Sequence, residues 1–170
     1  MERLVIEFKQ ILCPTDLSEA SRRSLTYAAA FAHWYKARLT VLHVVPTFEP
    51  ITVGPGALTG PPQMVFPMSR EEVLVEMRQI TESAGMESVH PILSACEGDP
   101  VRNIVDQALA ISADLVVMGT HGRSGFERLL IGSVAEKVLR KAPCPVLLVP
   151  PHVATTAHPD VSFKHILCPM

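Results

Sequence analysis

The chain has 170 residues, 48% of them apolar, with 15 basic and 17 acidic side chains and a net charge of −2. That length and apolar share support one domain with a real core plus a short appendage, and the balanced charge, with no Lys/Arg block, argues against a nucleic-acid partner. No stretch approaches the roughly 20 apolar residues of a membrane span, and "MERLVIEFKQ" lacks the apolar run and cleavage site of a signal peptide, so the expected setting is the cytoplasm, with no membrane partner.

In chain order, "QILCPTD" (10–16) reads as an apolar strand running into a polar turn. Ser18 can then cap a helix to about Tyr35, because its hydroxyl can accept from a free first-turn amide. Within that helix Trp34, Tyr27 and Phe31 are expected to serve core or interface packing. "RLTVLHVVP" (38–46) is a second buried strand, stopped by Pro46, with His43 expected as a satisfied core histidine. Residues 47–68 hold "EPITVGPGALTGPP" and read as a long irregular loop. Ser69 and Glu72 form a capping box. Val73, Met77, Ile80 and Ala84 follow as one apolar stripe, and Gly85 suits the helix end.

"SVHPILSAC" (88–96) is a third strand, placed at a sheet edge because Pro91 cannot donate to a ladder. Asp99 and Pro100 start a helix, with Ile104, Val105, Ala108 and Leu109 as its expected inner face. "DLVVMG" (114–119) is a fourth strand, apolar nearly throughout, as when both faces are covered. After a glycine-containing loop, Ser133 is expected to cap a helix to about Lys141, and "CPVLLVP" (144–150) is a fifth strand at the other edge. The alternation of strands and helices predicts an α/β fold, a parallel sheet with helices on both faces, and ligands bind such sheets outside the carboxyl ends of the strands. Cys13, Cys96, Cys144 and Cys168 form no C-x-x-C pair and read as small apolar residues in a reducing compartment.

Chemistry concentrates in "MGTHGRSGFERLLIGS", 118–133. The segment runs from the end of a buried strand to the start of a helix, and unpaired backbone amides point outward at both places. Glycines let a ligand approach the backbone, and a helix N-terminus favours anions. Ser133 adds a hydroxyl and Arg123 a positive charge, so a phosphate cradle fits; a loop that merely shapes a tight turn remains the alternative. Neither a Walker loop nor a G-x-G-x-x-G fingerprint is present.

"GTHGRSGFERLLIGSVAEKVLRKAPCPVLLV" resembles the nucleotide-binding signature of the universal stress protein family, G-x2-G-x9-G-[ST]. "ILCPTDLSEAS", "EGDPVRNIVDQA" and "ADLVVMGTHG" are similar to other parts of the same domain, over about residues 8 to 150. The resemblance implies a Rossmann-like five-stranded parallel sheet of order 3-2-1-4-5. It implies that Pro14, Thr15 and Asp16 border an adenosine, that Val44 contacts adenine, and that Met118 and Gly119 lie under the ribose. His121, Gly122, Arg123, Gly132, Ser133 and Val134 would then hold the phosphates. The implied ligand is ATP, or AMP or another adenine nucleotide, with Mg or Mn on the phosphates rather than on protein side chains. The implied role is a stress-response switch or dimeric module, a homodimer formed through strand 144–149. No catalytic residue is evident, since no nucleophile is paired with a base. A slow ATPase or nucleotide hydrolase and a dimeric interaction protein without nucleotide remain the other two readings.

The chain also echoes itself. Six of the seven residues of "FKHILCP" (163–169) repeat "FKQILCP" (8–14). The expected organisation is a domain over 1–150, a linker over 151–162, and in 163–170 the first strand of a second copy.

Overall fold

The computed structural model describes residues 7–46, 69–86, 88–120 and 131–150. Five strands form one parallel sheet, the central ones buried on both faces. They are β1 (Gln10–Thr15), β2 (Arg38–Val45), β3 (Ile92–Glu97), β4 (Leu115–Gly119) and β5 (Val146–Val149). Helices α1 (Glu19–Tyr35), α2 (Arg70–Ser83), α3 (Pro100–Ala110) and α4 (Ser133–Lys141) make the crossovers. The sheet order is β3-β2-β1-β4-β5, every pair parallel, as the resemblance implied. β3 and β5 are the edges, as expected, although β3 begins at Ile92, so Pro91 precedes the strand instead of lying within it.

Strand alternation divides the core. Ile11, Cys13, Leu39, Val41, Leu115 and Val117 turn to the face covered by α1 and α2, while Leu12, Leu42, Val44, Val116 and Met118 turn to the face of α3 and α4. Fully burying one such Leu or Ile side chain contributes about 1.5–3 kcal/mol. The central strands are joined at their amino ends by one carboxylate. Asp114 Oδ2 accepts from the amides of Lys9 at 2.7 Å and Gln10 at 2.8 Å, fixing β1 beside β4.

The helix boundaries follow local chemistry. Ser18 accepts from the Ser21 amide at the head of α1. Both arms of the α2 capping box form, at 2.7 and 3.2 Å, and the bond from the Ser69 amide holds the Glu72 carboxyl below its usual range. Asp99 accepts from Arg102 ahead of Pro100 in α3. The inner face of α3 differs from expectation. Val101, Ile104 and Ala108 are buried, Val105 is half-buried and Leu109 is 58% exposed. Leu109 lies about 100° round the helix from Ala108, and that turn carries it off the sheet. In the turn between β3 and α3, Gly98 adopts φ +129°, and a Cβ there would stand 2.9 Å from Asn103 Nδ2.

At the opposite end of the sheet Phe31 is buried, Trp34 half-exposed and Tyr27 packed against the core. Phe8 meets Tyr35 edge-on at 4.9 Å and Phe31 at 6.2 Å, closing the start of β1 onto the end of α1. The predicted loop 47–68, linker 151–162 and repeat 163–170, with Cys168, lie outside the described residues. None of the described helices is long and apolar enough to cross a membrane.

Cys13 is fully buried under α1, and desolvation pushes its thiol up to about 12. The thiolate is the reactive form, so at pH 8 the native protein should protect Cys13 from iodoacetamide while the half-buried Cys96 reacts. Peptide mass analysis of a timed labelling series checks this, and equal labelling rates at the two sites would contradict it.

Candidate functional site

The central feature is where β1 and β4 part company. Gln10 O accepts from the Asp114 amide, so alternate residues of β1, Gln10, Leu12 and Pro14, turn their main-chain groups toward β4. Pro14 has no N–H to offer. The β1–β4 register pairs Ile11 with Leu115 and Leu12 with Val116 and goes no further, whereas β1 and β2 stay paired to Thr15–His43. The ladder thus stops short of the carboxyl ends of the two central strands, at the point where strand order reverses, and sheets of this class form their ligand crevice there.

One wall is the β1–α1 turn, held by a run of short hydrogen bonds. Thr15 Oγ1 accepts from the Leu17 amide at 3.1 Å and lies 2.9 Å from Ser21 Oγ. These contacts hold Leu17, 8% exposed, at φ 64°, an uncommon conformation for a branched side chain. Asp16 Oδ1 accepts from the Ser18 amide at 3.1 Å and from the Ser18 hydroxyl at 2.6 Å, so its carboxylate shapes the turn. The Thr15 carbonyl is met at 2.8 Å by Nδ1 of the buried His43. A carbonyl only accepts, so Nδ1 carries the proton. His43 is thus the satisfied core histidine its sequence suggested, and it also fixes the end of β1.

The other wall is built from β4 and α4. The Thr120 amide donates to Val149 O at 3.0 Å and the Gly132 amide to Thr120 O at 2.6 Å, which brings the start of α4 against the end of β4. The expected cap is displaced by one residue. Gly132 is the N-cap, with φ −70° and ψ 156°, and among the described residues no side chain bonds the first-turn amides. Ser133 is the first helical residue and exposed, so its hydroxyl caps nothing. A helix N-terminus left this way presents N–H groups and a partial positive charge outward.

The predicted residues fall as follows. Pro14, Thr15 and Asp16 lie on one wall and Met118, Gly119, Gly132, Ser133 and Val134 on the other. Val44 follows His43, the partner of Thr15, but Val44 and Met118 are 8% and 6% exposed and belong to the core under α3 and α4. His121, Gly122 and Arg123 lie outside the described residues. Sequence reasoning missed the Thr15–Ser21 pair and the His43–Thr15 link. The clustered hydroxyls of "TDLSEAS" were the available signal for the first; nothing local marked the second.

A model of the universal stress protein family matches residues 7–150. The chain belongs to this family of stress-response proteins. It is 34% identical over 142 residues to a universal stress protein of Methanocaldococcus jannaschii, covering 84% of this chain and 82% of that one. Among solved structures it is similar to UspA of Lactobacillus plantarum, at 26% identity and a TM-score of 0.64, covering 85% of this chain and 99% of that one. A universal stress protein solved in complex with cAMP shares the fold at 23% identity and a TM-score of 0.61, over 86% of this chain and all (100%) of that one.

Replacing Thr15 by Val keeps the shape but removes the acceptor of the Leu17 amide and the partner of Ser21. A buried donor left unpaired costs about 1–3 kcal/mol. Urea unfolding of Thr15→Val should show a loss in that range, and a midpoint unchanged from the wild type would contradict it.

Proposed function

We propose that this universal stress protein binds an adenine nucleotide, ATP first among them, in the crevice between β1 and β4, and acts in the cytoplasm as a nucleotide-dependent switch. The observation that carries the reading is the α4 N-terminus, uncapped by any side chain among the described residues and set against the end of β4 at Gly132. Such a terminus suits phosphate oxygens. The motif Gly119-x2-Gly122-x9-Gly132-Ser133 supports it, as does the relative solved with cAMP.

The residues present fit the group. With glycine as N-cap, the cap residue has no side-chain oxygen of its own to take the place of a phosphate, and the amides of Ser133 and Val134 are donors of the right kind. Gly122, His121 and Arg123 would complete the phosphate contacts. The adenosine would lie along Pro14, Thr15 and Asp16, with Val44, Met118 and Gly119 beneath it. A Mg or Mn ion arriving with the phosphates would offset their charge. A switch then requires that the nucleotide bind two states of the protein unequally.

Binding to the folded state alone raises stability by about 2.7 kcal/mol when ligand exceeds its dissociation constant a hundredfold. Millimolar ATP with Mg should therefore raise the melting temperature of the wild type, and Gly122→Val should abolish the rise. No rise with the wild type overturns the reading. Turnover above about 1 per second would make the protein an enzyme instead.

The unpaired edge of β5 supports a homodimer. Val146, Leu147 and Leu148 are half-buried on a strand that, among the described residues, is paired on one side only, and such edges invite pairing. Light scattering should give a dimer mass for the wild type and a monomer for Leu147→Glu with an unchanged circular dichroism spectrum. A wild-type monomer at micromolar concentration would refute the dimer.

A further inference from the structure

A second concave site lies at the other end of the sheet, away from the crevice. It is a cavity of ≈ 460 Å³ under the last turn of α3, and its polar lining is Gln10, Arg38, Thr40, Ser94 and Gln107. That volume is in the range of small-molecule sites.

The sheet dictates this lining. Leu12, Leu42 and Val44 turn toward α3, and Cys96 packs against the same cluster. Side chains alternate along a strand, so Gln10, Arg38, Thr40 and Ser94 turn the same way. Gln10 is paired with Arg38, and Thr40 with Ile92, which places the four side by side across three strands. α3 runs over this face and ends at Ala110, so its last turn roofs the space with Gln107 and Ile111.

Thr40 decides the character of the space. It is 4% exposed, and no hydrogen bond of its side chain is made among the described residues. Yet none of the sealed side-chain oxygens or nitrogens among those residues lacks a partner. The Thr40 hydroxyl therefore opens into the cavity it lines. A buried hydroxyl without a partner among the described residues leaves hydrogen-bonding capacity for whatever enters.

The charges also point one way. Among the described residues, the lining has one cation, Arg38, and no carboxylate. The nearby acids are engaged elsewhere: Asp114 with the amides of Lys9 and Gln10, and Asp106 with Arg102 at 3.5 Å. Of the last α3 carbonyls, Gln107 O, Ala108 O and Leu109 O are taken by the amides of Ile111, Ala113 and Ser112, which reduces the repulsion an anion would meet there. The remaining wall, Ile92 and Leu93 with Ala110 and Ile111, is apolar.

We infer that this cavity is a binding site for a small organic anion, its carboxylate or phosphate head held by Arg38 and the Thr40 hydroxyl and its short apolar body resting on Ile92 and Ile111. Gln10, Ser94 and Gln107 supply further donors around the head group. The site is separate from the crevice and stands whether or not the crevice holds a nucleotide.

Hexanoate, titrated into the ¹⁵N-labelled full chain, is the probe. Saturable shifts of the Thr40, Ser94 and Ile111 amides are expected, with a dissociation constant in the millimolar range for so small a ligand. Arg38→Gln, an exposed substitution that should leave the melting temperature unchanged, is expected to weaken binding about tenfold or more, as loss of a charge-assisted hydrogen bond does. Thr40→Val should weaken it further. Hexanol, with the body but no charge, and inorganic phosphate, with charge but no body, should each bind more weakly than hexanoate. The inference is overturned if hexanoate gives no saturable shift at roughly 20 mM, if Arg38→Gln binds as the wild type does, or if hexanol or phosphate matches hexanoate.

Discussion

A missing hydrogen does much to shape this molecule. Pro14 stands in the middle strand of a five-stranded sheet, turned toward its neighbour β4, at the position where the next ladder bond would form. A central strand ordinarily excludes proline for that reason. Here the lost bond falls at the carboxyl end, after the pairs that anchor β1 and β4 are made. The two strands can then separate without giving up the core beneath them. The reversal of strand order sets the place of the crevice, and the imide nitrogen of Pro14 ends the ladder beside it.

Such an opening would weaken the sheet if the freed segments were left loose, and they are not. The Asp114 carboxylate closes the amino ends of the same two strands by accepting two main-chain amides. At the carboxyl end His43 replaces a backbone donor to the Thr15 carbonyl. Hydroxyls of Thr15, Ser18, Ser21 and Ser24 bond the turn into the first coils of α1. Hydrogen bonds of this kind contribute about 0.5–1.5 kcal/mol each, and their shared effect is to fix the geometry of one wall. Leu17 is held at positive φ within that network, and strain of this sort persists only where the surroundings over-determine it.

The fold was legible because its signals are local and repetitive. Alternating apolar runs, the Ser69–Glu72 box, the Asp99-Pro100 pair and Pro91 each act within a few residues, and together they name the elements, the edge at β3 and the parallel class. The strand order came from the resemblance. The errors lie where a neighbouring element decides the outcome. Leu109 looks like a core residue until the extent of the sheet under α3 is known. Ser133 looks like a cap until Gly132 is found one residue earlier, bonded to Thr120. Asp114, Thr15 and His43 act on partners 28 to 105 residues away, and no periodicity reveals such reach. Within the candidate site the motif supplied residue identities, while the crevice needed the direction in which Pro14 faces. The polar cavity under α3 had no sequence signal, because its five polar residues come from three strands and a helix.

Gly132 has a consequence for anyone who would improve this protein. Helix caps are a routine target when a domain is to be made more robust, and the head of α4 would draw a serine or aspartate at once. Glycine is nearly as good at that position, so the gain would be a few tenths of a kcal/mol. The cost would be a side-chain oxygen laid across amides that now face outward. Under the proposed function, robustness and phosphate binding would compete for the same few N–H groups, and the thermodynamic advantage of closing them is too small to justify the loss.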